Sequence, residues 1–283
     1  MKFKIKDWEV SKAHSQVLKK FKTKIKTQLE PTEKQWQSLH DLQEALYAQG
    51  EWAVLLVLQG MDTAGKDGLI KNVMYGLNAS GCEVTAFKQP TELEKNHGFL
   101  WRVHQAVPPR GKIGVFNRSY YEDVIVPYVH PEILSESPMS HKLRTAKSLL
   151  KDRCYDIVQF EKYLARQGVL VIKVYLHLSH EEQKSRLLAR LDDPSKNWKF
   201  SDADVNERQF WRKYRKAYDF CIRHTAHSGA PWYIVPADDK PTARALVGEI
   251  ITTRMSELGL SFPKTDSKRK AELNKIRELI AAE

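Results

Sequence analysis

Short runs of aliphatic residues alternate along this chain with longer stretches in which apolar positions recur every three or four residues. Ala53–Gln59 (AVLLVLQ) is apolar at nearly every position, the pattern of a strand buried on both faces. Four further runs read as strands: Val84–Phe87, Lys112–Asn117, Val169–Leu176 and Trp232–Val235. Between them lie helical patterns over Gly65–Ala79, Thr91–Val107, Leu143–Gln167, His180–Leu191, Ala203–Thr225 and Thr242–Leu258. Strands alternating with helices predict an α/β fold, a doubly wound five-stranded parallel sheet with helices on both faces.

The chain divides into three parts. Residues 1–49 form a Lys-rich arm followed by a helix from Thr32 to Ala48, with Trp36, Leu39, Leu42 and Leu46 on one stripe. Residues 50–262 hold the sheet. Residues 263–283 form a charged helix whose Leu273, Ile276 and Ile280 are spaced to dock on another surface. In Phe210–Tyr218 aromatic and basic residues interleave, as a base-stacking surface would. Positions 210, 214, 217, 218 and 221 share one helical face, however, and Phe210 and Tyr218 read as core.

Composition adds a partner class. The chain's 283 residues, 42% of them hydrophobic, suffice for a large core. Net charge is +11, and the first thirty residues hold nine Lys against three acidic groups. Such a surplus concentrates polyanions near the surface. Cys82, Cys154 and Cys221 lie far apart without a C-x-x-C pair, which fits buried thiols in a reducing compartment and neither a disulfide framework nor a zinc site. The N-terminus lacks the apolar run of a secretory signal, and stretches such as Ala53–Leu58 are too short to cross a bilayer. A cytoplasmic protein with no membrane partner is expected.

The strongest chemical signal follows the first strand. Ala53–Gln59 runs into Gly60-Met61-Asp62-Thr63-Ala64-Gly65-Lys66-Asp67, where a helical pattern begins. This is G-x4-G-K between a strand and a helix, the setting of a phosphate-binding loop. Its glycines let backbone N–H groups and a helix N-terminus close on phosphate oxygens, and Lys66 adds a positive charge to the transferring group. The usual Ser or Thr of the eighth position is Asp67, and Asp62 lies inside the loop. Carboxylates beside a phosphate call for a divalent cation between them, so metal-bridged phosphate chemistry is expected over simple anion storage.

A second motif ends the strand Lys112–Asn117: Asn117-Arg118-Ser119-Tyr120-Tyr121-Glu122-Asp123. Asn117 stands where an aspartate is usual, and Glu122 or Asp123 can supply the missing carboxylate. Arg118 can fork onto phosphate oxygens or pair with a carboxylate. In His180–Leu191, Arg186 and Arg190 lie four apart on one helical face, ahead of the break at Asp192-Asp193-Pro194. They suit an arginine-bearing lid over about 180–202; the alternative is a solvated face with Glu182 paired to Arg186.

Together these segments resemble the polyphosphate kinase 2 family. GMDTAGKD, FKQPT at Phe87–Thr91, GFLWRVHQAVPPRGKIGVFNRSYYEDV at Gly98–Val124 and LHLSHEEQKSRLLARLDDPSKNWKFS at Leu176–Ser201 occur in the family's order, within about Lys20 to Leu258. Asn117 with Glu122 is similar to the class-III branch, while Tyr120 replaces an expected histidine. The resemblance implies a P-loop kinase fold and a homo-oligomer, dimer or tetramer. It also implies reversible, Mg²⁺-dependent transfer from inorganic polyphosphate to AMP and ADP, with adenine and other nucleotides as partners. Asp62, Lys66, Arg118, Glu122 and Arg186 would act in catalysis, with Asp62 and Glu122 toward the metal. Gly60, Met61, Thr63, Ala64, Gly65, Asp67, Lys88, Asn117 and Arg190 would bind nucleotide or phosphate. Two rivals remain: an ATP-dependent nucleoside monophosphate kinase, and a non-catalytic binder of phosphate polymer or nucleic acid. The intact Lys66, Asp62 and Glu122 disfavour the second, because binding alone gains nothing from carboxylates beside phosphate.

Overall fold

The computed structural model describes residues 4–283 apart from positions 14, 196 and 201; the last two belong to the expected lid and lie outside the described residues. Six strands form one sheet: β1 (Glu9–Val10), β2 (Ala53–Gly60), β3 (Cys82–Ala86), β4 (Ile113–Asn117), β5 (Val169–His177) and β6 (Trp232–Pro236). Their order is β1-β6-β5-β2-β4-β3. The five expected strands are all present and mutually parallel. The sixth, β1, comes from the Lys-rich arm and pairs antiparallel with β6 through Glu9↔Tyr233 and Val10↔Trp232. Two residues are too few to leave an alternating pattern, which is why the sequence does not announce it.

Eight helices are eight residues or longer among the described residues: α1 (Glu33–Gln49), α2 (Lys66–Val73), α3 (Glu122–Val129), α4 (Leu149–Arg166), α5 (His180–Asp192), α6 (Trp211–Thr225), α7 (Lys240–Ser256) and α8 (Ser267–Ala281). Capping sets several starts. Thr32 accepts from the Gln35 N–H, Ser179 from Glu182 and Asp239 from Thr242, each satisfying an orphan donor of the first turn. Gly50 ends α1 at φ 64° with its N–H on the Leu46 carbonyl. Two helical patterns break. Thr91–Val107 gives only Glu92–Lys95 and Trp101–Gln105, with Gly98 between, and Ala203–Thr225 splits into Asp202–Arg208 and α6. Helix α3 is new; its Pro127 and brevity hide its period.

Helices cover both faces. On one, α3, α4 and α6 bury Val124, Ile125, Ile157, Leu164, Ala217, Tyr218 and Cys221 against Leu55, Val57 and Val171. Tyr218 is core, as its helical face implies, and Phe210 packs at the margin. On the other, α1, α2 and α7 bury Leu39, Leu46, Leu69, Leu246 and Ile250 against Val54, Leu56 and Ile172. The stripe of α1 thus packs on the sheet, where Gln35 Nε2 also donates to the Ala245 carbonyl. In contrast, Leu273, Ile276 and Ile280 of α8 are exposed. No helix is long and apolar enough to cross a membrane among the described residues, and the three cysteines are free thiols.

Candidate active site

Strands β2 and β4 lie side by side with Leu58 opposite Asn117, so the loops leaving their carboxyl ends share one crevice at the centre of the sheet. The β2 loop needs its glycines. A Cβ on Gly60 would lie 3.0 Å from Ala64 Cβ and 3.1 Å from Leu176 Cβ, and Gly65 turns into α2 at φ 97°. Thr63 and Arg118 both sit at φ 63° although neither is glycine. Side chains rarely adopt this conformation, and it concentrates at functional sites.

Lys66 opens α2 and folds back over the loop. It is 9% exposed, and its Nζ donates to the carbonyls of Gly60 at 2.7 Å and Met61 at 3.3 Å. Burial lowers its pKa against the opposing pull of Asp62, Glu122 and Asp67. Its charge is therefore held in a place that disfavours it, ready for an anion. Met61 and Ala64 are buried in the loop's base, and Thr63 Oγ1 is a buried hydroxyl without a partner.

Arg118 lies across the crevice and donates from a terminal nitrogen to Asp62 Oδ1 at 2.9 Å. Burial opposes its charge, but Glu122 and Asp62 outweigh that and raise its pKa. Glu122 opens α3 in the same field. Burial raises its carboxyl pKa, against the opposing effects of Arg118 and Lys66. Only one orientation satisfies both ends of the buried Gln59 amide: its nitrogen donates to Glu122 Oε1 at 2.9 Å and its oxygen accepts from the Ser119 N–H at 3.1 Å. Gln59 thus aims Glu122, a role that a glutamine inside an apolar run could have signalled. Asp123, the alternative carboxylate, turns away toward Arg102 at 3.5 Å.

The two departures from the usual loop residues explain each other. Asn117 Nδ2 donates to Asp67 Oδ1 at 2.7 Å. An amide on the strand and a carboxylate on the helix replace a hydroxyl on the helix and a carboxylate on the strand, so the tie between β4 and α2 survives. Asn117→Asp would set two carboxylates against each other. It should destabilise the protein by about 1 kcal/mol, and Asp67→Ser in the same chain should recover most of that loss, as read by urea unfolding.

Arg186, expected in the lid, is 7% exposed and bonded to the backbone of the loop. Its Nε donates to Glu182 at 2.8 Å, one terminal nitrogen to the carbonyls of Thr63 and Ala64 at 3.0 and 3.1 Å, and the other to Ala237 and Asp238. The i,i+4 pair with Glu182 forms, with Arg186 buried and Glu182 partly exposed. Gln183 adds a bond to the Asp62 carbonyl at 3.1 Å. Arg190, half-buried near the end of α5, offers its carbonyl to Asn197 at 2.8 Å. Lys88 is exposed just past β3, its carbonyl held by Arg102 at 2.8 Å.

Beneath the Arg118–Glu122 turn lies a polar network centred on the fully buried Glu161 and Lys173. Glu161 Oε1 accepts from Tyr120 and Tyr121 at 2.8 and 2.7 Å, and Oε2 from Lys173 at 2.7 Å, with His227 at 3.0 Å. Lys173 also donates to the Thr225 carbonyl at 2.8 Å. Burial raises the Glu161 carboxyl, but Lys173 and the hydrogen bonds from His227 and Tyr121 hold it below the ordinary range. Tyr120, in place of the expected histidine, therefore supports the site from below.

The oxygen donors suit a hard cation. Among the described residues no three His, Cys, Asp or Glu side chains group to hold a metal. Asp62 inside the loop and Glu122 at the start of α3 instead offer two carboxylates, the number Mg²⁺ uses when it is shared with substrate phosphates.

A family model for polyphosphate kinase 2 matches residues 22–259. The chain is 44% identical to the ADP-polyphosphate phosphotransferase of Rhodopseudomonas palustris, over 98% of this chain and 99% of that one. It is 41% identical to the AMP/ADP-polyphosphate phosphotransferase of Meiothermus ruber, over 81% of each. The crystal structure of polyphosphate kinase 2 from Arthrobacter aurescens TC1 superposes with a TM-score of 0.80 at 41% identity, covering 87% of this chain and 84% of that one. With the glycine loop, its lysine and the Arg118–Glu122 turn in one crevice, the chain belongs to the polyphosphate kinase 2 family.

Proposed function

We propose that this protein transfers phosphoryl groups reversibly from inorganic polyphosphate to AMP and ADP, by direct transfer at residues 60–67. The observation that carries this reading is the convergence of Lys66, Arg118, Asp62 and Glu122 on one loop. Two cations can neutralise the transferring phosphate while two carboxylates remain to engage Mg²⁺ or the acceptor. Asp62 and Glu122 would hold Mg²⁺, which would supply positive charge against the transferring phosphate. Gly60, Gly65 and the N–H groups of the loop cradle the phosphate, and Lys66 moves from the Gly60 and Met61 carbonyls to its oxygens. Arg118 exchanges Asp62 for phosphate, which frees that carboxylate to orient the acceptor. Arg186 and Gln183 fix the loop by its backbone, and Lys88 and Arg190 extend the phosphate-binding surface.

The test is to supply Mg²⁺ with polyphosphate or ATP as donor and each nucleoside mono- and diphosphate as acceptor, and to resolve the products by chromatography. Transfer from ATP alone would establish the nucleoside monophosphate kinase instead.

Glu122 sets acceptor choice in this reading. AMP brings fewer phosphate oxygens than ADP to a shared cation, so it depends more on the protein's carboxylate. Glu122→Asn is expected to lower kcat/KM for AMP at least tenfold, about 1.4 kcal/mol, and for ADP less. Equal losses on both acceptors would remove Glu122 from specificity.

A further inference from the structure

Helix α3 is tied at both ends. Glu122 opens it in the crevice, and His130 caps its carboxyl end, with its N–H on the Val126 carbonyl at 2.8 Å. The His130 side chain is 17% exposed and lies between two carboxylates. Its Nδ1 is 3.1 Å from Glu132 Oε1, and its Nε2 is 3.0 Å from Glu207 Oε2. Glu207 Oε2 also accepts from the Tyr214 hydroxyl at 2.6 Å. A carboxylate only accepts, so both ring nitrogens must donate, and histidine does that only as the imidazolium. The carboxyl end of a helix favours the same charge.

A second chain of bonds leads from Glu207 to the phosphate loop. Its neighbour Arg208 donates to Gln183 Oε1 at 2.8 Å and to the His180 carbonyl at 3.0 Å. Gln183 in turn donates to the Asp62 carbonyl at 3.1 Å. Residues 207 and 208 therefore connect the far end of the Glu122 helix to the backbone of Asp62. We propose that His130 is a positioning residue for phosphoryl transfer: as the imidazolium it ties α3 to Glu207, and that tie fixes Glu122 relative to Asp62. The inference rests on these two carboxylates acting in transfer, and it adds what holds them in register.

The tie depends on a proton. Burial opposes the charge of the ring, but its hydrogen bonds to Glu207 and Glu132 outweigh burial and raise the pKa above the ordinary 6.5. The groups packed around the ring from α6 and its start do not replace that charge. Tyr214 is a neutral donor already on Glu207, and Phe210 meets the ring edge-on at 4.7 Å. Lys213 lies 5.0 Å from the centre of the Phe210 ring and acts on Glu132. A group whose folded-state pKa is raised contributes fully below 6.5 and loses that contribution as pH rises through the folded value. Above it, one ring nitrogen becomes an acceptor facing a carboxylate oxygen, and one of the two contacts is lost.

The test follows kcat for AMP and ADP with polyphosphate from about pH 6 to about pH 9, at fixed free Mg²⁺, across the range where histidine titrates. Full-length wild type is compared with His130→Gln and Glu207→Gln, and the wild-type/variant ratio cancels the ionisation of the substrates. For both variants the ratio should be at least about fivefold at the acid end and fall below about twofold at the alkaline end. Its midpoint should coincide with the titration of the His130 ring followed by NMR, and Glu207→Gln should move that titration down. A ratio that does not change with pH makes His130 merely structural. A wild-type ring that titrates at or below 6.5 removes the imidazolium. Either result overturns the proposal. If His130→Gln does not fold, Glu207→Gln carries the same comparison, because its amide oxygen still accepts from Tyr214. If the wild type transfers from ATP and not from polyphosphate, the donor reading falls, and the same ratio measured with ATP still decides the role of His130.

Discussion

Replacing Lys66 by methionine is expected to lower phosphoryl transfer at least a hundredfold while leaving the protein as resistant to urea as the wild type. The two halves have one cause. The ammonium is buried against the Gly60 and Met61 carbonyls, and burial lowers its pKa. A charge disfavoured in the folded state costs stability at neutral pH, where the unfolded chain holds the same proton at no penalty. Methionine keeps most of the bulk and removes that cost, so the loop loses nothing it needs for folding. In the proposed reaction, catalysis loses one of the two side-chain charges that meet the transferring phosphate, a difference of about 2.7 kcal/mol or more in the barrier. The check is kcat/KM beside a urea curve on the same preparation. Turnover above a tenth of wild type would remove Lys66 from the reaction, and a large fall in midpoint would make its role structural.

Lys173→Met should cost about 3–5 kcal/mol of unfolding free energy, the usual consequence of leaving a buried carboxylate without its cation. Lys173 and Glu161 are both fully buried at 2.7 Å, with Tyr120, Tyr121 and His227 on the remaining carboxylate positions. If the uncompensated charge causes the loss, adding Glu161→Gln should return at least about 1 kcal/mol, since the pair's cost lies in its imbalance. Further loss in the double variant would assign the effect to packing. Because Tyr120 and Tyr121 lie between Arg118 and Glu122, the single variant should also lower transfer at temperatures where it remains folded.

The sequence carried the chemistry of the centre and little of its support. Strand β2 and the loop after it were legible because consecutive aliphatics, glycines and a lysine obey one local rule. Asn117 and Glu122 were legible as departures from that rule, but their partners were not. The bond from Asn117 to Asp67 joins residues fifty positions apart, and no local pattern encodes it. Lys173 was visible as a charge inside VLVIKVYL and could have been read as half of a buried pair. Nothing nearby named Glu161, on a helix that precedes it. Arg186 shows the opposite limit. Helical spacing placed it correctly on a face with Glu182, but which way that face turned depended on Ala237 and Asp238 at the far end of β6. The two-residue β1 and the proline-bearing α3 were too short or too irregular to show a period.

Arg186 also has a mechanical meaning. Every N–H of its guanidinium is engaged by Glu182, by two loop carbonyls or by the end of β6. The first two turns of α5 are thereby riveted to the loop and cannot swing as a separate body. Any closing movement after phosphate binds must hinge beyond residue 186, and a strain applied to α5 from outside would be felt in the loop backbone at Thr63 and Ala64. Substitutions on this helix, distant from any substrate, should therefore behave in kinetics as loop substitutions do, changing turnover before they change affinity.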